Sequence, residues 1–191
     1  MARKIDPDQR EQHKAAIAEA VWRLVARSGL EAVSLREVAG EAGVSVGRVQ
    51  HYFGTKDALL LYGLRLAQQR MEGRIRRRIA GLVAPGAEDV LRATLAELLG
   101  DDPDTRQAVR VWTAFLGRAL DDRAIAEALF ADDVELRAFT TEVVGSPLDA
   151  HGLWALANGL AAEVACGQTT AADARAVVDH HLDRLLGSPD R

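Results

Sequence analysis

Apolar residues recur at spacings of three and four along almost the whole chain, and no run alternates apolar and polar as a half-buried strand would. A chain patterned this way must bury helical stripes against other helices, so an all-α fold is expected. The interval from Ser34 to Phe53 narrows the choice. Ser34 and Glu37 have the S-x-x-E spacing in which each side chain can satisfy the other residue's free backbone N–H, and Leu35, Val38, Ala39 and Ala42 follow as the buried face of a short helix. Gly43 breaks that helix, Ser45 is placed to cap another, and the second helix must fit between Ser45 and Phe53. Two short capped helices about a glycine turn are the physical minimum for a helix-turn-helix, in which the first helix braces the second against the major groove. Val38 and Ala39 suit the crossing and Val49 suits an anchor for the second helix, although any compact three-helix bundle could share that spacing.

The flanks fit the same plan. His13, Ile17, Val21 and Leu24 mark a first helix over about 8–28, with Gly29 just past its end. Thr55 and Asp57 open a long fourth helix whose stripe runs Leu60, Leu64, Ala67, Met71, Ile75, Ile79. Further helices are expected over about 86–99, 103–120, 122–144, 148–166 and 170–186, punctuated by Pro85, Gly100–Pro103, Gly145–Pro147 and Gly167–Thr169. In 148–166, Gly152, Ala155, Gly159, Ala162 and Cys166 form a stripe of small residues that lets another helix approach closely. The last helix sets Ala174, Val177, Val178, His181, Leu182 and Leu185 against a charged side, as an interface helix does. These two helices are expected to form half of an intersubunit four-helix bundle, making the protein a homodimer.

Charge matters because the net value of −4 argues against nucleic acid when taken whole. Residues 1–80 hold 15 Lys and Arg against nine Asp and Glu, net +6, whereas residues 81–191 hold nine against 19, net −10. A basic front half can meet phosphates while the acidic remainder is repelled from them. The densest basic run, Arg74 to Arg78, lies at the far end of the fourth helix, where it suits the helix terminus or acidic neighbours better than DNA.

Catalysis finds little support. The patterns G-x-G-x-x-G, G-x-x-x-x-G-K-[ST] and H-E-x-x-H do not occur, and adjacent His180 and His181 point about 100° apart on a helix, so they cannot chelate one metal. No enzyme activity, cofactor or metal site is expected. Cys166, the only cysteine, sits among small residues and reads as packing. Apolar stretches such as 152–162 are too short and too rich in Gly and Ala to span a bilayer. The N-terminus carries Arg3, Lys4 and Asp6 rather than an apolar signal core, so a cytoplasmic protein with no membrane partner is expected.

Gly29-Leu30-Glu31-Ala32-Val33-Ser34-Leu35-Arg36-Glu37-Val38-Ala39, then Ala42-Gly43-Val44-Ser45-Val46-Gly47-Arg48-Val49, then Tyr52-Phe53 and Lys56-Asp57-Ala58-Leu59, resembles the DNA-binding segment of the TetR family of transcriptional regulators. The resemblance implies a helix-turn-helix DNA-binding domain over 1–56 and a helical ligand-binding and dimerisation domain over 57–191, joined by a long helix. It also implies a recognition helix over 45–53, Arg36 near the bases and Lys56 at a phosphate. The DNA-binding residues expected on this basis are Ser34, Arg36, Ser45, Val46, Gly47, Arg48, Gln50, His51, Tyr52 and Lys56. Where the family commonly has tyrosine this chain has Gln50, and where it has a small or hydroxylated residue this chain has Arg48. Arginine can fork onto guanine O6 and N7 and glutamine onto adenine N6 and N7, so both positions are candidates for base reading as well as for phosphate contact or plain solvation.

The segment from Leu156-Ala157-Asn158-Gly159-Leu160 to His181–Leu186 is similar to the subgroup related to the betaine-pathway repressor. Such a resemblance implies a repressor released from a pseudopalindromic double-stranded operator by a small-molecule inducer. Trp112, Phe115, Phe130, Phe139, Trp154 and Asn158 are the candidates to line its pocket, since aromatics can cage a quaternary ammonium, though such residues are more often core. The alternative is a helical protein-interaction or dimerisation module with no ligand response.

Overall fold

The computed structural model describes residues 7–131 and 133–187. Among them are ten α-helices, one 3-10 turn and no strand: α1 (Pro7–Ser28), a 3-10 turn (Leu30–Ala32), α2 (Leu35–Ala42), α3 (Val46–Phe53), α4 (Lys56–Ala80), α5 (Ala87–Leu98), α6 (Pro103–Ala119), α7 (Arg123–Leu129), α8 (Asp133–Val144), α9 (Pro147–Cys166) and α10 (Ala171–Gly187). The fold is all-α, as the periodicity requires.

Local chemistry accounts for the helix starts. Ser34 Oγ accepts the Glu37 N–H at 3.1 Å, Ser45 Oγ that of Arg48 at 3.2 Å, and Thr55 Oγ1 that of Ala58 at 3.1 Å. Each satisfies one of the donors that a helix N-terminus leaves without a partner. Gly43, at φ +67°, takes the left-handed conformation that turns the chain between α2 and α3, which a residue with a Cβ adopts only under strain.

The chain divides into two compact units that are not continuous in sequence. The first comprises the residues up to Gln68 together with Val111–Leu129. Ile17, Val21 and Leu24 of α1 meet Val38 and Ala39 of α2, Val49 of α3, and Leu59, Leu60 and Leu64 of α4 in its core; Val111, Phe115, Ile125 and Leu129 complete it. The Trp22 indole N–H donates to the Gly63 carbonyl at 3.0 Å. Glu41 of α2 pairs with Arg23 and Arg27 of α1 at 2.7 and 3.0 Å, and these guanidiniums, Arg23 first, hold its carboxyl below the usual carboxylate range. The brace is therefore fully made at neutral pH and is lost as acid protonates Glu41.

The second unit comprises Gln69–Arg110 and the residues from Phe130 onward. Leu91, Leu95, Leu99, Val144, Leu153, Ala157, Ala161, Ala174, Val178 and Leu182 form its core. Thr140 is fully buried; its hydroxyl donates to the Leu136 carbonyl at 2.8 Å and accepts the Trp154 indole N–H at 2.8 Å. Replacing Thr140 with valine keeps the shape and strands that N–H, so a loss of about 1–3 kcal/mol is expected in urea unfolding. The basic run does pair with an acidic neighbour, because Arg74 and Arg78 reach the buried Glu97 of α5 at 2.7 and 3.0 Å.

Two expectations need correction. The helix expected over 122–144 is two helices, α7 and α8, with a turn in which the Asp133 N–H bonds the Phe130 carbonyl at 3.2 Å. Acidic Asp133 and Glu135 then open α8, where the positive end of a helix favours them. The break serves packing, since Ile125 and Leu129 belong to the first core and Val143 and Val144 to the second. Cys166 is exposed rather than packed, because it lies on the outward side of α9 with Gly152, Ala155 and Gly159, opposite buried Leu153, Ala157, Ala161 and Val164.

Candidate nucleic-acid interface

Helix α3 is held by little of its own surface. Val49 is its one fully buried residue, Tyr52 and Phe53 are half-buried, and the other five positions are exposed, Val46 among them. At about 100° per residue, Gly47 and His51 lie opposite the Val49 anchor while Arg48 and Gln50 stand on the two flanks of that outward side. At Gly47 a Cβ would meet nothing within 4 Å, so the centre of the outward side is open and another backbone can come close. A short helix that offers polar forks to solvent and is anchored by one valine is shaped to enter a groove.

The other expected DNA-binding residues are nearby in the same unit. Ser34 and Arg36 are exposed at the start of α2, Ser45 is exposed at the start of α3, and Lys56 is half-buried in the first turn of α4. Among the described residues, Arg36, Arg48 and Lys56 carry no ion pair, whereas Lys14, Arg23 and Arg27 of α1 are each matched to a carboxylate. Unmatched cations around α2 and α3 are what a polyanion requires.

A feature absent from the sequence reading joins α3 to its neighbours. His13, expected in the apolar stripe of α1, is exposed, and its Nδ1 lies 3.1 Å from the Tyr52 hydroxyl. The rings of Tyr52 and Phe53 follow, then Phe53 and Tyr62 at 5.3 Å; Lys14 caps the Tyr62 ring at 4.5 Å, and the Tyr62 hydroxyl donates to Glu11 at 3.2 Å. The only trace of this in the sequence is a polar residue heading an apolar stripe.

Residues 17–62 match the family described as bacterial regulatory proteins, tetR family, and residues 87–187 match the BetI-type transcriptional repressor C-terminal domain. The chain belongs to the TetR family. Its relatives include the HTH-type transcriptional regulator PksA of Bacillus subtilis, 32% identical over 84% of this chain and 81% of that one. The regulator BetI of Burkholderia cenocepacia is 28% identical over 94% of this chain and 96% of its own length. Among solved structures, a transcriptional regulator from Saccharomonospora viridis in complex with choline superposes with a TM-score of 0.73 at 22% identity, over 91% of this chain and 96% of that one.

As a TetR-family protein this is a DNA-binding transcriptional regulator with a BetI-type C-terminal domain, and its family is one of regulators rather than enzymes. One hydrolase-like pattern is nevertheless present, because Gly43-Val44-Ser45-Val46-Gly47 spells G-x-S-x-G. A nucleophile elbow joins a strand to a helix, whereas this Ser45 joins two helices and spends its hydroxyl capping α3. No helix among the described residues is long and apolar enough to cross a membrane.

The six pocket candidates fall in both units of the TetR-family chain. Trp112 and Phe115 belong to the first, where Phe115 is fully buried and Trp112 packs against the core. In the second, Phe139 packs against the core, Trp154 spends its N–H on Thr140, Asn158 is half-buried and Phe130 is partly exposed. A cleft of about 470 Å³ in the first unit lies among Leu30, Ala114, Gly117 and the charged Glu31, Arg118, Asp121 and Asp122, and takes in none of the six.

Proposed function

We propose that this regulator is a repressor that binds a pseudopalindromic operator as a homodimer and leaves it when a small-molecule ligand binds. Residues 1–56 are the DNA-binding domain in this reading, and 57–191 the ligand-binding and dimerisation domain. Arg48 and Gln50 read bases from the two flanks of α3, with Ser34, Arg36, Ser45, Val46, Gly47, His51, Tyr52 and Lys56 supporting them. The observation that carries the reading is α3 itself, exposed on all but its anchoring side beside unmatched cations.

Dimerisation through α9 and α10 is supported by the outward stripe of α9. At Gly152 and Gly159 a Cβ would meet nothing within 4 Å, so a second helix has room for close approach, and Val177 of α10 is an exposed apolar residue. Gly159→Leu should therefore move the protein from dimer to monomer in light scattering.

A quaternary ammonium is the first ligand class to test, because the C-terminal match is BetI-type and the S. viridis protein was solved with choline. Helices α4 and α6 each contribute to both units, which gives ligand and DNA a shared framework. A ligand shifts DNA affinity only by its differential affinity for two states, and the effect is reciprocal. Choline titrated against the Trp112 and Trp154 fluorescence should bind more weakly in saturating operator, by the factor by which saturating choline weakens operator binding. Equal choline affinity with and without operator contradicts ligand-driven release.

A further inference from the structure

The Tyr52 hydroxyl and His13 Nδ1, 3.1 Å apart with ring centroids 6.3 Å apart, hydrogen-bond α1 to the candidate DNA-reading helix. A phenol has one proton to donate, and a phosphate oxygen can only accept. When neutral His13 accepts at Nδ1, the phenolic proton is turned inward and Tyr52 has nothing to offer a phosphate. Protonated imidazole has donors at both nitrogens, so Nδ1–H must then donate to the Tyr52 oxygen and the phenolic proton is turned outward. The other neutral tautomer permits the outward arrangement; protonation makes it the only one.

We infer that His13 is a positioning residue for DNA binding, which on protonation turns the Tyr52 hydroxyl into a donor to a backbone phosphate, so that duplex affinity rises as pH falls. The inference rests on the reading that Tyr52 belongs to the DNA-binding residues. Other charged groups surround the pair. On α1, Glu11 is taken up by Lys14 at 3.0 Å and by Tyr62 of α4 at 3.2 Å, with Arg10 beside it. On α3, the His51 ring lies 5.7 Å from that of Tyr52 and is the second imidazole beside that ring. The sign follows from linkage, because a complex that favours protonated His13 holds more protons than the free partners and is strengthened by acid.

Phosphate contacts are indifferent to sequence, so the probe is a fluorescent mixed-sequence duplex of about 30 base pairs, long enough for two half-sites. Its affinity for the full-length protein is measured by anisotropy at fixed ionic strength from about pH 8 to about pH 6, across the histidine range. The unsubstituted protein should gain about 3- to 10-fold, the worth of a hydrogen bond or two. His13→Gln can still bond Tyr52 but cannot titrate, and Tyr52→Phe lacks the hydroxyl; each should remove most of the gain, and the double variant no more than either. In a His51→Gln background, His13→Gln should still remove it. An unchanged pH slope in His13→Gln overturns the inference, and so does a slope that survives Tyr52→Phe. Failure to bind the duplex at every pH would instead overturn the DNA-binding reading on which the inference rests.

Discussion

Alanine at Arg48 or Gln50 should flatten the ranking of operator variants by about 1–3 kcal/mol for each lost base contact, and a dimer loses that contact in both half-sites, roughly 2–6 kcal/mol in all. Both side chains are exposed on the flanks of α3, and Arg48 has no carboxylate partner among the described residues, so neither is needed for the fold. Lys56→Ala should behave differently. In the proposed reading its ammonium meets a phosphate, so every sequence should weaken alike and the salt dependence should become shallower by about one ion per protomer. Competition binding against a panel of single-base operator variants separates the two outcomes. A ranking untouched by Arg48→Ala makes that residue a phosphate contact.

The second large effect lies in the C-terminal unit. Glu97 is 6% exposed and its carboxylate bonds Arg74 at 2.7 Å and Arg78 at 3.0 Å, with the Thr105 hydroxyl at 3.4 Å. Removing one member of a buried pair costs more than the pair contributes, because the remaining charge keeps its desolvation and loses its partner. Arg74 is itself mostly buried whereas Arg78 is nearly half exposed, so Glu97→Ala should cost about 3 kcal/mol, borne chiefly by Arg74. Replacing both Glu97 and Arg74 with leucine and methionine should recover most of that loss, since no buried charge is then left alone. Urea unfolding checks both, and a loss under about 1 kcal/mol for Glu97→Ala would mean that water replaces the carboxylate there.

What the sequence disclosed and what it hid divide along the range of the interactions. The starts of α2, α3 and α4 depend on Ser34, Ser45 and Thr55 bonding a backbone N–H three residues on, and the turn between α2 and α3 on Gly43, so these were legible locally. Val38, Ala39 and Val49 were legible because a helix of eight residues has room for few buried positions. The break between α7 and α8 was not, because no glycine or proline marks it and its cause is that the two segments pack in different cores. His13 falls by spacing into an apolar stripe, and its partner Tyr52 lies 39 residues away, beyond the reach of any local pattern. The aromatic candidates suffered likewise. Composition cannot tell that Trp154 will spend its N–H on Thr140 or that Phe115 will close the first core. Cys166 looked packed beside small neighbours, yet those neighbours face outward with it on α9.

Selection of duplexes from a random pool tests the central claim most directly, because it asks at once whether the exposed side of α3 reads DNA and whether two copies read it together. The account predicts enrichment of one pseudopalindrome whose half-sites are centred about one helical turn, or a simple multiple of it, apart, bound with an affinity that falls steeply as salt rises. In the same selection the Arg48→Ala and Gln50→Ala variants should lose base preference at symmetric positions in the two half-sites. Enrichment of no motif, together with duplex binding indifferent to salt, would contradict the account and leave a helical dimerisation module that does not read DNA.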